Sequence, residues 1–326
     1  MKQLKVAIIG FGRIGRLHFS NIRKYYPNVA VVGVYDIKHP GDDLSDVQFF
    51  DDLDSLLQQD IDAVFVCSPT SLHIEHVKKA MSYNKHIFCE KPVGGELEKL
   101  LHLQEQLKDY PFVFQVGFHR RCDSNFRKLK EKITGLPHIV KIVSHDPDLP
   151  PIEYIKSSNG IFLDMVIHDF DTMRFLLNDD VAELYVMGST LIDQELNKYG
   201  DVDTVVTQLR FKKGTLGIII NSRKAVYGHD QRIEVFSSDF GMLQANNFHE
   251  SNIVFSGDKA ICKSPLQNFF IDRYQNAYIY ELQEFFSVIS GERSNNSCAN
   301  IDDTIKAVKT ANAAKKSLQT NAVVKL

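Results

Sequence analysis

The chain has 326 residues, 44% hydrophobic and 24% charged, with a formal net charge of −3. That length exceeds one ordinary core and predicts two domains, and the composition is that of a globular protein rather than a disordered or fibrous one. Dispersed Lys and Arg in a slightly acidic chain give no basic footprint, so nucleic acid is not an expected partner.

Five cysteines (Cys67, Cys89, Cys122, Cys262 and Cys298) are odd in number and contain no Cys-x-x-Cys pair. This argues against a disulfide framework or a Cys-rich zinc site, and a cytoplasmic location is expected. The opening "MKQLKVAIIGFGRIG" sets two lysines before an apolar run, as a signal peptide does, but the run is short and broken by glycine. Nothing reaches the roughly 18 consecutive apolar residues of a membrane span, so no membrane partner is expected.

In chain order, "KVAIIG" is an apolar run followed by a helical pattern from Ile14 to Tyr25 that stops at Pro27. "VAVVGVYD" and "AVFVCSP" are further runs, the latter followed by a helical "SLHIEHVKKAMSY". "HIFCEKP", a helical "ELEKLLHLQEQLK" and "FVFQVGF" complete the series. Apolar runs alternating with amphipathic helices predict an α/β Rossmann domain, a doubly wound parallel sheet, over residues 1–118.

Beyond Phe118 the rhythm changes. A helix is expected near Ser124–Ile133, and then "VAELYVMGST", "VDTVVTQLRF", "GTLGIIINSR", "QRIEVFSSD" and "GMLQAN" follow one another with turns between them. Two helical segments, "YQNAYIYELQEFFSVIS" and "DDTIKAVKTANAAKKSLQ", end the chain. Strands without intervening helices predict an α+β domain over residues 119–326, with a large open, mainly antiparallel sheet.

"GFGRIG" spells Gly-x-Gly-x-x-Gly between a strand and a helix. Gly10 permits the tight turn, Gly12 lets the backbone approach a pyrophosphate, and Gly15 lets the helix pack closely on the sheet. Asp36 closes the second strand where a carboxylate binds the adenosine ribose hydroxyls, and Ile37 rather than Arg follows it. NAD is therefore the expected cofactor, ahead of NADP. "NGIFLDMVIHDFD", wound as a helix, sets Asp164, His168 and Asp171 on one side and Phe162, Val166, Phe170, Met173 and Leu177 on the other. Taken alone, the pair Asp164/His168 is more often a solvated face or a structural hydrogen bond, and Lys91 alone is more often a surface lysine. A shared metal ion is the other option for a carboxylate and imidazole at this spacing, but no third ligand is near, and no metal is expected. Asp169 reads as structural, and Asp171 is open between supporting the site and facing solvent.

At "CEKP" and "FLDMVIHDFD" the chain resembles the Gfo/Idh/MocA oxidoreductases, and among them the inositol 2-dehydrogenases. The likeness extends through "GFGRIGRLH", "CSPTSLH", "GFHRRCDSNF", "DPDLPPIEYIKSSNG" and "DRYQNAYIYEL". It implies catalytic roles for Lys91, Asp164 and His168. It implies cofactor contacts from Gly10, Phe11, Gly12, Arg13, Ile14, Gly15, Asp36, Ile37, Ser68, Pro69, Thr70, His73, Glu90 and Lys91. It implies a substrate pocket drawn from Lys91, His119, Arg120, Tyr154, Asp164 and His168, and a homotetramer or homodimer. Two positions depart from the family pattern: Asn159-Gly160 replaces a glycine pair, and His119 stands where Met is common.

Oxidising a secondary alcohol requires a base for the hydroxyl proton while hydride leaves the same carbon for the nicotinamide. An imidazole is a suitable base, with an ordinary pKa near 6.5. A carboxylate one helical turn earlier orients it, and an ammonium stabilises developing alkoxide charge. The expected activity is NAD-dependent oxidation of a cyclic polyol, myo-inositol or a scyllo or chiro isomer, to the keto-inositol. The alternatives are an NAD(P)-dependent dehydrogenase or reductase of another sugar or sugar derivative, and a non-catalytic dinucleotide-binding regulator.

Overall fold

The computed structural model describes residues 3–41, 44, 46–294 and 297–326. They form two compact units, one running to Cys122 and completed by Asn276–Ile305, the other comprising Asp123–Gln275 and Lys306–Leu326. Where the sequence predicts one boundary after residue 118, packing divides the chain three times. The first unit keeps the 3₁₀ turn His119–Cys122, and it takes Leu282, Phe285 and Phe286 of the helix Phe270–Ile289 into its core.

The first unit is a six-stranded parallel sheet of β1 (Leu4–Ile9), β2 (Val29–Tyr35), β3 (Gln48–Phe50), β4 (Ala63–Val66), β5 (His86–Glu90) and β6 (Phe114–Gly117). The strand order is β3-β2-β1-β4-β5-β6. Helices α1 (Arg13–Tyr25), α2 (Leu53–Leu57), α3 (Thr70–Ser82) and α4 (Leu97–Leu107) connect the strands. Five of the six strands are the apolar runs. Their continuity has a physical cause, since helices covering both faces leave β4 buried at every residue. β3 is too short for any periodicity to announce it. Phe65 and Phe88 lie edge-on to Phe285, with centroids 5.6 and 5.8 Å away. Burying each such ring contributes roughly 1.5–3 kcal/mol.

The second unit opens with α5 (Ser124–Lys132), whose N-terminal amides at Asn125 and Phe126 donate to the Asp123 carboxylate. Then come β7 (Ile139–His145), α6 (Ile152–Ser157), a π-helical turn (Phe162–Val166), α7 (Ile167–Leu177) and β8 (Val181–Ser189). Next are β9 (Thr204–Phe211), β10 (Leu216–Ser222), β11 (Asp230–Ser237), β12 (Gly241–Ala245), and a hairpin of β13 (Val254–Ser256) with β14 (Ile261–Lys263). The helix Phe270–Ile289, α8, and α9 (Ile301–Thr320) are divided between the units, and β15 (Val324–Lys325) closes the chain.

The sheet order is β12-β11-β7-β10-β9-β8-β15, antiparallel throughout except for the parallel pair β7–β10. The unexpected strand β7 therefore sits in the middle of a mixed sheet. Val140, Ile142, Ile219, Leu209 and Val235 are buried on one face, while Ile139, Leu216, Val206, Met187 and Met242 on the other are exposed.

Candidate active site

In the first unit the glycine loop is fixed by contacts that only glycine allows. Gly10 has φ +93°, and a Cβ there would stand 2.5 Å from the Ser68 amide nitrogen. A Cβ on Gly15 would stand 2.1 Å from the Gly10 carbonyl oxygen. At Gly12, by contrast, a Cβ would meet nothing within 4 Å. Gly12 also caps α1 without any side-chain hydrogen bond, and no acidic residue occupies the first turn. A helix N-terminus facing such a cradle is the arrangement that favours an anion. Arg13 and Ile14 supply that first turn.

Asp36 lies beyond β2, where its Oδ2 accepts from the Phe11 amide at 2.6 Å and its Oδ1 from the Lys38 amide at 3.2 Å. The carboxylate thus ties the glycine loop to the end of the second strand. Ile37 beside it is exposed. The Ser68-Pro69-Thr70 turn leads into α3, whose Pro69 cap makes no side-chain hydrogen bond. Ser68 Oγ and His76 Nδ1 are 2.8 Å apart. His73 is buried between two main-chain oxygens, Nδ1 2.8 Å from Pro92 O and Nε2 2.6 Å from Ser68 O. Burial holds its pKa below the ordinary value, although both carbonyls favour the protonated ring. His73 therefore braces the Ser68 turn against the segment that follows Lys91.

Glu90 ends β5, with Oε1 2.7 Å from His18 Nε2. His119 is buried and stacks on Tyr278, centroids 4.4 Å apart, and Arg120 is buried beside it. These arrangements suit a dinucleotide: an open cradle at Gly12, a helix N-terminus behind it, and a carboxylate at the end of β2. Among the described residues one group of three side chains brings ligand-type atoms within 4.8 Å of one another, namely His18, Glu90 and Glu281.

In the second unit the expected α-helix over Asp164 and His168 is interrupted. Residues 162–166 wind as a π turn, and α-helix resumes at Ile167. Asn159 and Gly160, both at positive φ (63° and 83°), make the bend ahead of it. The departure from a glycine pair is thus accommodated, because Asn enters the left-handed region at low cost. The Ile161 amide donates to Asp201 Oδ1 at 2.9 Å, which anchors the start of the wider turn.

Asp164 accepts from the Tyr154 hydroxyl at 2.7 Å and from Arg223 Nη1 at 3.0 Å. Arg223 is fully buried, and its Nη2 lies 3.6 Å from Asp201. His168 is buried at the first turn of α7, with its backbone carbonyl accepting from the Thr172 hydroxyl at 2.7 Å. Asp171 is buried, not solvent-facing, and lies 4.0 Å from Arg174. Asp169 is buried and held by Asn221 at 2.8 Å and Gln231 at 3.4 Å, as a structural carboxylate would be.

Sequence reasoning passed over Arg223, Asp201, Asn221 and Gln231, because each lies far along the chain from the group it holds. It also passed over a chain of hydrogen bonds in which the Tyr227 hydroxyl donates to Asp230 and meets His145 Nδ1, both at 2.9 Å. Burial and the adjacent Asp230 push the Tyr227 phenol up to about 12.

Residues 4–118 match the model of an oxidoreductase family with an NAD-binding Rossmann fold, and residues 126–242 match the C-terminal domain model of the same family. The chain is 40% identical to myo-inositol 2-dehydrogenase of Thermotoga maritima, over 99% of this chain and 98% of that protein. It is 34% identical to inositol 2-dehydrogenase of Rhizobium meliloti, over 97% of both. Scyllo-inositol dehydrogenase from Lactobacillus casei, solved with NAD(H) and scyllo-inositol, superposes with a TM-score of 0.91 at 26% identity, covering 99% of each chain. With the glycine loop, the Glu-Lys-Pro strand end and the Asp164/His168 helix in place, and both domain models matched, the chain belongs to the Gfo/Idh/MocA family of NAD-binding oxidoreductases.

Proposed function

We propose that this protein oxidises one ring hydroxyl of an inositol, myo-inositol before its scyllo and chiro isomers, to the keto-inositol with NAD. The observation that carries the reading is its 40% identity, end to end, with a myo-inositol 2-dehydrogenase. The buried His168, Asp164 on the turn before it, and the open glycine cradle support it from the residues upward.

Bound nicotinamide supplies the hydride acceptor. The proposal gives the rest to the chain's own groups. His168 takes the hydroxyl proton, a contribution of roughly 10²- to 10⁴-fold. Asp164 orients the imidazole, and Arg223 and Tyr154 fix the carboxylate in turn. Lys91 holds the reacting oxygen and stabilises its developing charge, while His119 and Arg120 border the polyol. The 10–15 loop, Asp36 with Ile37, the Ser68–His73 turn and Glu90 hold the dinucleotide, and the Asp36 carboxylate disfavours the extra phosphate of NADP.

The second unit is further proposed to pair with a copy of itself, as a dimer or tetramer. The support is the exposed row Ile139, Leu216, Val206, Met187 and Met242 on one face of its sheet. Cytoplasmic action fits five free cysteines, and no helix of the described residues is long and apolar enough to cross a membrane.

NADH formation with purified protein over myo-, scyllo- and D-chiro-inositol, glucose, xylose and galactose, repeated with NADP, tests the assignment. Turnover confined to an inositol with NAD is expected. Turnover on a sugar alone transfers the chemistry to the other substrate class, and intact NAD binding with no turnover leaves a regulator.

A further inference from the structure

Three titratable side chains of the first unit lie together away from solvent. His18 on α1 and Glu281 on α8 are fully buried, Glu90 nearly so, and their ligand atoms fall within 4.8 Å of one another. His18 and Glu90 are hydrogen-bonded at 2.7 Å. Neither oxygen of Glu281 has a hydrogen-bond partner among the described residues. Its backbone carbonyl is fixed by Gln115 Nε2 at 2.9 Å, so the side chain cannot drift out with a loose turn.

Among the described residues, the other ionisable groups coupled to Glu281 include Tyr26 at the C-terminal end of α1, Cys67 after β4 and Cys122 in the 3₁₀ turn. Each is neutral or acidic, so none neutralises a carboxylate. Aromatic rings wall the cluster, with Phe65, Phe88 and Tyr278 all within 6.0 Å of the His18 ring. A bare carboxylate in such surroundings takes up a proton rather than remain an unpaired buried charge.

We propose that Glu281 is a positioning residue that remains protonated in the working protein, and that its proton lets the Glu90–His18 pair, one residue ahead of Lys91, keep its place. Burial first, and Glu90 second, raise the Glu281 carboxyl well above the ordinary range. A shared divalent ion fits the distances less well. Two ligands of one tetrahedral ion at about 2.0–2.2 Å stand about 3.3 Å apart, wider than the hydrogen-bonded His18–Glu90 contact. The linkage sign is the reverse of ordinary acid denaturation. The folded chain holds a proton that the unfolded chain releases above about pH 4.5. The stability from Glu281 is therefore complete at low pH and is lost as pH rises through the folded value.

Glu281→Gln, the neutral near-isostere in the full-length protein, tests this. The infrared band of a protonated carboxyl should be present in the wild type at neutral pH and missing from E281Q. E281Q should gain about 2–4 °C in Tm over the wild type toward alkaline pH. The proposal is overturned by an unchanged infrared band or by equal alkaline slopes. It is overturned equally by an E281Q that does not fold, since a neutral amide should be accepted. A stoichiometric divalent metal in the purified wild type, absent from E281Q, would put a cation where we put a proton. The infrared and thermal readouts are independent of which polyol is oxidised, so they stand or fall apart from the proposed substrate.

Discussion

In the first unit the groups that hold the glycine loop and the Ser68 turn are mostly main chain. Gly10 and Gly15 give close backbone approaches, the Phe11 amide meets Asp36, and the carbonyls of Ser68 and Pro92 enclose His73. In the second unit they are side chains gathered from a distance. Asp164 draws Arg223 from 59 residues away, and Asp169 draws Asn221 and Gln231 from 52 and 62 residues away. A main-chain site demands one residue type at one place and fails sterically. A side-chain network demands complementary charge and fails electrostatically, because removing one member strands another in a region of low dielectric.

The sharpest way to break this contrast is His168→Ala. We expect turnover to fall about 10²- to 10⁴-fold, with NAD affinity by calorimetric titration close to wild type. If NAD binding falls in step with turnover, the division of labour between the units is wrong. Next in size is Arg223→Ala, which strands Asp164 and Asp201. Urea unfolding should register a loss of about 3–5 kcal/mol. Arg223→Lys should recover only part of it, since a single ammonium cannot reproduce the fork. A loss under about 1 kcal/mol would mean that the pair is solvated like a surface ion pair.

Smaller again is the glycine comparison. Gly15→Ala forces a methyl against the Gly10 carbonyl and should cost about 1–3 kcal/mol by overpacking. Gly12→Ala should leave Tm unchanged and raise KM for NAD. Equal effects on folding would remove the steric reading of the loop.

The smallest effect is in acid. Burial is the main cause that lowers the pKa values of His73, His76 and His86 in the first unit and of His145 in the second. Each contributes stability that is complete above the ordinary value of 6.5 and lost as pH falls below it, because the unfolded chain binds the proton more readily. With three such groups against one, hydrogen exchange should detect opening of the first unit at higher pH than the second. The reverse order would overturn that ranking.

The same contrast explains what could be read in advance. Gly10, Gly12, Gly15 and Asp36 announce themselves because main-chain geometry is written at short, fixed spacing. The apolar runs of the parallel sheet are legible because both faces are covered. β7 escaped because Lys141 interrupts the run "IVKIVSH", and the Glu234 that accepts its ammonium lies 93 residues on. The π turn escaped because Asp164 and His168 are spaced as in an α-helix, and the Asp201 that accepts from the Ile161 amide at its start lies 40 residues downstream. In "NSRK" Arg223 reads as a polar strand end, and in "YELQEF" Glu281 reads as the wet side of an amphipathic helix. Only the folded chain shows that both are buried.

Completing the first unit with Asn276–Ile305 has a consequence for synthesis on the ribosome. All six strands of the parallel sheet have been made by Gly117, yet Leu282, Phe285 and Phe286, which cover Phe65 and Phe88, come late in the same chain. At typical translation rates that interval lasts on the order of ten to thirty seconds. Throughout it the nascent sheet has an uncovered aromatic face, so a nascent-chain-binding chaperone has its longest opportunity there, and a ribosome stalled before residue 282 leaves a fragment prone to aggregate.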